Sequence, residues 1–118
     1  MKTLVIGAST NPERYSFKAI TSLRQHNYSV VAHGLKSGEV ADIKIQTEWP
    51  SDEAIDTVTL YVGPKNQLEY IDRILALNPR RIIFNPGTEN PDFEQKASEA
   101  GILCEEACTL VLLATSQY

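Results

Sequence analysis

The 118-residue sequence predicts a single three-layer, doubly wound α/β domain over residues 1–118, with a mainly parallel five-stranded sheet and four or five helices. Three observations carry that expectation. Short apolar runs alternate with helical patterns along the whole chain, the signature of repeated strand-helix-strand units. No linker, internal repeat or low-complexity segment interrupts the alternation. A chain of this length also buries roughly two-thirds of its unfolded surface, enough for a core without metal or disulfide support.

Residues 2–6 form an apolar run ended by Gly7, the first strand. A helix over 14–27 follows, because Phe17, Ile20 and Leu23 at three-residue spacing and Ala19 and Leu23 at four share one face. Asn27 tolerates the left-handed conformation that stops a helix. Residues 28–33 are β-rich, and the Ile43-Lys44-Ile45 alternation beyond the polar stretch 34–38 reads as a short edge strand. Trp49-Pro50-Ser51-Asp52 punctuates the chain before a strand over 57–62. Gly63-Pro64 breaks that strand, and Leu68, Ile71, Ile74 and Leu75 make one helical stripe ending before Asn78-Pro79. The last third repeats the rhythm: a strand at 81–84, a loop at 85–88, a helix over 92–100 with Phe93, Ala97 and Ala100 inward, and Gly101 as its stop. A short strand at 102–104 and a helix over 108–115 finish the chain. Leu110-Val111-Leu112-Leu113 leaves that helix apolar on most sides, which suggests cover from a second copy in a homodimer.

The net charge of −4 argues against general attraction to nucleic acid or to an anionic membrane, so an anionic ligand must be held by local geometry. No apolar run approaches the ~20 residues of a membrane span. The first seven residues are too short for a secretory signal, and the expected location is cytoplasmic. Cys104 and Cys108 match neither a zinc spacing nor a disulfide framework, so both are expected as reduced thiols.

Doubly wound sheets bind ligands at the carboxyl ends of their strands, where the strand order reverses. The loops to inspect are therefore 7–15, 33–38, 63–66, 85–90 and 105–109. In the first, Gly7 permits a sharp turn and close ligand approach, and Ala8 stays small. Ser9, Thr10 and Ser16 place hydroxyls near a helix amino terminus, whose free N–H groups attract phosphate. The plainer alternative is that Gly7 only ends a strand and Ser16 only caps a helix. A dinucleotide site of the NAD type needs Gly-x-Gly-x-x-Gly and an acid about 20 residues later. Here Ser9 stands at the second glycine position, and Ala32-His33-Gly34-Leu35-Lys36 contains no carboxylate. NAD is disfavoured, and an extra phosphate near Lys36 fits better, unless Lys36 is an ordinary solvated lysine. Neither a P-loop nor the paired acids of a receiver domain follow the first strand.

Other candidates for chemistry are few. His26 is expected in solvent, and His33 in a structural or ligand-contact role. Cys108, near the start of the last helix, is either a small buried apolar residue or a thiol able to exchange with a disulfide of the ligand. Glu13, Glu89 and Asp92 show no convergent pair, and Asp92 and Glu94 suit the first turn of a helix.

Val5-Ile6-Gly7-Ala8-Ser9-Thr10-Asn11-Pro12-Glu13-Arg14-Tyr15-Ser16, Gly34-Leu35-Lys36, Tyr61-Val62-Gly63-Pro64, Asn85-Pro86-Gly87-Thr88-Glu89-Asn90 and Glu106-Ala107-Cys108-Thr109-Leu110 resemble, in order and spacing, the stand-alone CoA-binding domain proteins. These are small Rossmann-like proteins similar to the nucleotide-binding domain of the succinyl-CoA synthetase α subunit. The resemblance implies CoA or an acyl-CoA as ligand, with its ADP part over Gly7, Ala8, Ser9, Thr10 and Asn11. It further implies an extra phosphate near Lys36 and contacts from Val62, Gly63 and Pro64; Ser16 and Gly87 complete the candidate binding set. Family members usually carry Asn-Pro-Lys where this chain has Gly34-Leu35-Lys36, so the lysine is kept and the stiff turn is not. The synthetase uses a phosphorylated histidine on a separate ligase domain, for which 118 residues leave no room. The expectation is thus a carrier, sensor or regulatory module. The alternatives are a small NAD(P)- or CoA-dependent enzyme and an interaction domain that has lost its ligand.

Overall fold

The computed structural model describes residues 1–118. Five parallel strands form the centre of the sheet: β1 (Lys2–Ile6), β2 (Ser29–His33), β5 (Thr57–Leu60), β6 (Arg81–Phe84) and β7 (Leu103–Glu106). Two short strands, β3 (Gly38–Val40) and β4 (Ile43–Gln46), extend it to seven in the order β3-β4-β2-β1-β5-β6-β7. The chain leaves β1 toward β2 and later returns to pair β5 on the other edge of β1, so the order reverses between β1 and β5.

The count of seven corrects the expected five. β4 pairs parallel to β2, and β3 folds back antiparallel on β4 through the two residues Ala41 and Asp42. Ala41 adopts a φ of 55°, and Arg24 grips the Asp42 carboxylate with two hydrogen bonds of 2.8 Å. The expected single helical stripe from Leu68 to Leu75 is also divided. A short α2 (Pro64–Gln67) is followed by a turn and then α3 (Ile71–Leu77), leaving Leu68 in solvent. Tyr70 turns inward there, stacking on Trp49 and meeting His33 edge-on.

Alternation along the strands sends residues to two faces. Leu4, Ile6, Val58, Leu60, Ile82 and Phe84 pack under α3 and α4 (Pro91–Glu99), where Phe84 meets Phe93 edge-on. Val5, Ala32 and Ile45 pack under α1 (Tyr15–Gln25) with Ile20 and Leu23, and Leu113 of α5 (Thr109–Ala114) joins them. This second face is partly polar: Thr57, Thr59, Arg81 and Asn85 are all buried there. Helix stops fall as the residue types dictate, with Asn27, Asn78 and Gly101 all at positive φ. Val111 of α5 stays more than half exposed. No helix is long and apolar enough to cross a membrane.

Candidate functional site

The first loop is pinned to the end of β2. The amides of Gly7 and Ala8 both donate to the His33 carbonyl at 3.0 Å, which fixes the chain as it turns away from β1. Gly7 has φ +91°, and a Cβ there would lie 3.0 Å from the Tyr61 carbonyl oxygen. Gly34 is tighter still, since its Cβ would lie 2.4 Å from the Ala8 carbonyl oxygen. Both positions exclude a side chain because backbone crosses backbone. Further out, a Cβ on Gly38 would meet the Thr10 methyl group, so the 34–38 turn bearing Lys36 lies against the Ser9-Thr10-Asn11 loop.

That loop satisfies itself and leaves donors at the helix end. The Ser9 hydroxyl accepts from the Asn11 amide at 3.1 Å, the Asn11 side-chain carbonyl accepts from Glu13 at 3.0 Å, and the Arg14 amide donates to the Asn11 carbonyl. The amides of Ser9, Thr10, Tyr15, Ser16 and Phe17 close no hydrogen bond within the chain. Three of these belong to the first turn of α1, where the helix carries its partial positive charge. Ser16 is not the cap of that helix. Arg14 occupies the cap position with extended backbone, and Ser16 lies buried at the second helical residue.

A cleft of about 380 Å³ opens beside the first two residues of α1, Tyr15 and Ser16. Glu13, Arg14, Tyr15 and Ser16 form one wall, Tyr61 and Gly63 the next, and Pro86, Gly87 and Thr88 the third. Of the candidate binding set read from sequence, Ser16, Gly63 and Gly87 line it, as does the carboxylate candidate Glu13. Gly7 and Ala8 do not line it, although Gly7 packs against Tyr61 and Val62. Ser9, Thr10, Asn11 and Lys36 lie to the β2 side, with Lys36 exposed, and Pro64 begins α2 in solvent. Beside the cleft is a second cavity of about 210 Å³, walled by Tyr15, Tyr61, Asn85, Pro86, Cys108 and Leu110.

Buried polar side chains hold the two far loops in place. Gln67 is fully buried and donates from Nε2 to the carbonyls of Val62 (2.9 Å) and Thr88 (2.7 Å), while its Oε1 accepts from Asn90 Nδ2 at 3.0 Å. One side chain therefore ties the loop after β5 to the loop after β6. Asn85 donates from Nδ2 to the Thr59 hydroxyl (2.7 Å) and the Leu60 carbonyl (2.8 Å), and its Oδ1 accepts from the Thr109 amide at 2.9 Å. This fixes the start of α5 and with it Cys108, the cap residue of that helix. Tyr61 is the exception to this satisfaction. Its hydroxyl is sealed from solvent beside Thr59 and Thr109 without closing a hydrogen bond, and burial pushes its ionisation up to about 12.

The remaining candidates lie outside the cleft. His33 is buried, with Nδ1 3.0 Å from the Glu48 carbonyl and its ring against Trp49 and Tyr70, which is a structural placement. His26 is exposed, with Nδ1 2.8 Å from the Ser22 carbonyl. Cys104 packs against the core under α4, and burial together with the Glu94 charge pushes its thiol up. Asp92 and Glu94 occupy the first turn of α4, whose cap Asn90 accepts from the Phe93 amide at 3.2 Å. Arg14, Gln67, Tyr61 and Asn85 are contributors that residue type and spacing did not single out. Only for Arg14 was there a usable signal, a cation immediately before a helix at the loop of interest.

A family model described as a CoA binding domain matches residues 1–114. No curated protein matches the chain. Among solved structures, an uncharacterised protein 44% identical to this chain superimposes with a TM-score of 0.96, covering 99% of this chain and 97% of its own. A Thermus thermophilus protein solved as cell-free ID.343 is 22% identical with a TM-score of 0.87, covering 99% and 90%. A dinucleotide-forming acetyl-coenzyme A synthetase from Ca. Korarchaeum cryptofilum, in complex with phosphate and ADP, is 18% identical with a TM-score of 0.71. It shares the fold over 90% of this chain and 25% of its own. The chain belongs to the CoA-binding domain family.

Proposed function

We propose that this protein is a CoA-binding module that holds CoA or an acyl-CoA along the carboxyl edge of its sheet, serving as a carrier, sensor or regulatory part. The observation that carries the reading is the run of unpaired amides from the first loop into α1: those of Tyr15 and Ser16 belong to residues lining a cleft at the reversal of strand order, and those of Ser9 and Thr10 lie in the loop on its β2 side. Amides so arranged bind phosphate oxygens without needing a positive net charge. In this reading the diphosphate lies over Gly7, Ala8, Ser9, Thr10, Asn11 and Ser16. Lys36 meets the extra ribose phosphate, and Val62, Gly63, Pro64 and Gly87 cover the nucleotide. Lys36 suits that role because its turn lies against the Ser9-Thr10-Asn11 loop and its ammonium makes no hydrogen bond or ion pair within the chain. The reading is completed by a cytoplasmic location and by pairing of two chains through the exposed Val111 side of α5, which light scattering tests directly.

Calorimetry with CoA, dephospho-CoA, NAD and NADP tests the ligand. CoA is expected to bind, and NAD to bind far more weakly or not at all. Lys36→Ala is expected to weaken CoA by about tenfold, the scale of one charge-assisted contact of 1.5 kcal/mol or more, and to leave dephospho-CoA nearly unchanged. Absence of binding by CoA removes the reading, and equal losses for both ligands remove the role of Lys36.

A further inference from the structure

The second cavity differs in chemistry from the cleft it adjoins. The two share Tyr15, Tyr61 and Pro86, so the cavity lies directly next to the cleft. Its other walls are Asn85, Cys108 and Leu110. Asn85 brings no free polar group, because both ends of its amide are engaged with Thr59, Leu60 and Thr109. The Tyr61 hydroxyl is sealed away on the protein side. A phosphate or an adenine edge placed here would lose its water partners and gain almost none, which disfavours it strongly. An alkyl chain loses nothing and leaves water.

Resting on the CoA reading above, we infer that this cavity receives the acyl group of a short-chain acyl thioester, and that its size sets the chain length. The direction of the ligand follows from the strand order. Lys36 lies beyond the end of β2, and the cavity lies beyond the ends of β5, β6 and β7. From β2 across β1 and β5 to β6 is three strand spacings, roughly 14 Å, a span that an extended pantetheine arm is built to cross. The end farthest from the extra phosphate therefore arrives at Tyr61, Pro86 and Leu110. An apolar cavity of about 150 Å³ accommodates the six carbons of benzene. A volume of about 210 Å³ thus takes the thioester group and about four or five further carbons.

The test is calorimetry of the intact protein with CoA and with its acetyl, butyryl, hexanoyl and decanoyl thioesters. Affinity is expected to rise roughly fourfold for each methylene buried from acetyl to about hexanoyl, then to stop rising at decanoyl. Leu110→Ala, which enlarges the cavity, is expected to carry the rise on to longer chains, and Leu110→Trp to flatten it. CoA binding with the same affinity as all its thioesters would overturn the inference while leaving the CoA reading standing. So would a rise that continues unbroken to decanoyl, since a bounded cavity cannot produce it. Failure of CoA and every thioester to bind overturns both.

Discussion

Gln67 is the side chain on which the shape of the cleft depends most, and Gln67→Leu isolates its hydrogen bonds while keeping an apolar body of similar size in the same space. Three partners are lost at once: the Val62 carbonyl, the Thr88 carbonyl and Asn90 Nδ2. The Thr88 carbonyl is buried and has no route to water, so leaving it unpaired costs about 1–3 kcal/mol. The other two are partly buried and recover part of their loss from solvent, at about 0.5–1 kcal/mol each. The sum is roughly 3 kcal/mol, a large share of the ~5–15 kcal/mol that holds a domain together. With an unfolding entropy of about 2.1 cal/mol/K per residue, each kcal/mol lowers Tm by about 4 °C in a chain of this length, so the expected drop is roughly 12 °C. Urea melts of the two proteins should differ in midpoint with an unchanged slope. Gln67→Glu should be at least as damaging at neutral pH, since it sets a carboxylate against two carbonyl oxygens. A loss below about 1 kcal/mol for Gln67→Leu would refute the reasoning, because it would mean that the two loops hold their positions without this tie.

Tyr61→Phe should have the opposite sign: removing a buried hydroxyl without a partner is expected to leave the protein as stable or to stabilise it by about 1 kcal/mol at pH 7. The same substitution should flatten the alkaline limb. The folded protein keeps the Tyr61 proton to about 12, whereas the unfolded chain releases it near pH 10, so stability falls between those values by about 2–3 kcal/mol, and denaturant melts across that range check it. At the acid end, the hydrogen bonds from Arg80 hold the Asp56 carboxyl below its ordinary range, with desolvation opposing them. Its contribution is present above the unfolded value near pH 4 and disappears as pH falls below it. Asp56→Asn should therefore shallow the acid unfolding curve, and because Arg80 is half exposed the loss at neutral pH should not exceed about 1 kcal/mol.

The central strands were legible because one signal sufficed for each: a run of apolar or β-branched residues closed by Gly7, Asn85 or Gly63-Pro64. The strand at Ile43-Lys44-Ile45 was legible from its alternation as β4, but its hairpin partner β3 was not, because the two-residue turn between them reads Ala41-Asp42. An Asn-Gly or Asp-Gly pair accommodates positive φ at no cost and announces itself. Here Ala41 takes φ 55° and Arg24, from a different element, clamps Asp42. Tertiary contact supplies what the turn residues lack, and no local pattern contains it. The division at Leu68 has the same origin. Leu68, Ile71, Ile74 and Leu75 have helical spacing, yet burial of Tyr70 against Trp49 and His33 turns the chain and sends Leu68 outward.

The candidate site divides along the same line. Its donors are backbone amides at the end of a helix after the first strand, so position alone locates them, and the small residues Gly7, Ala8 and Ser9 mark the place. The loops that complete the cleft are held by Gln67 and Asn85, whose partners are main-chain atoms 5 to 25 residues away in sequence. Glutamine and asparagine are usually surface residues, and only burial turns their amides into structural ties. Ser16 makes the point from the other side. As a cap it would have used its hydroxyl on the helix and closed the amide end; with Arg14 in the cap position, Ser16 falls two residues further in and its amide stays unpaired. The capping alternative thus fails at Ser16, and the amino end of the helix stays open.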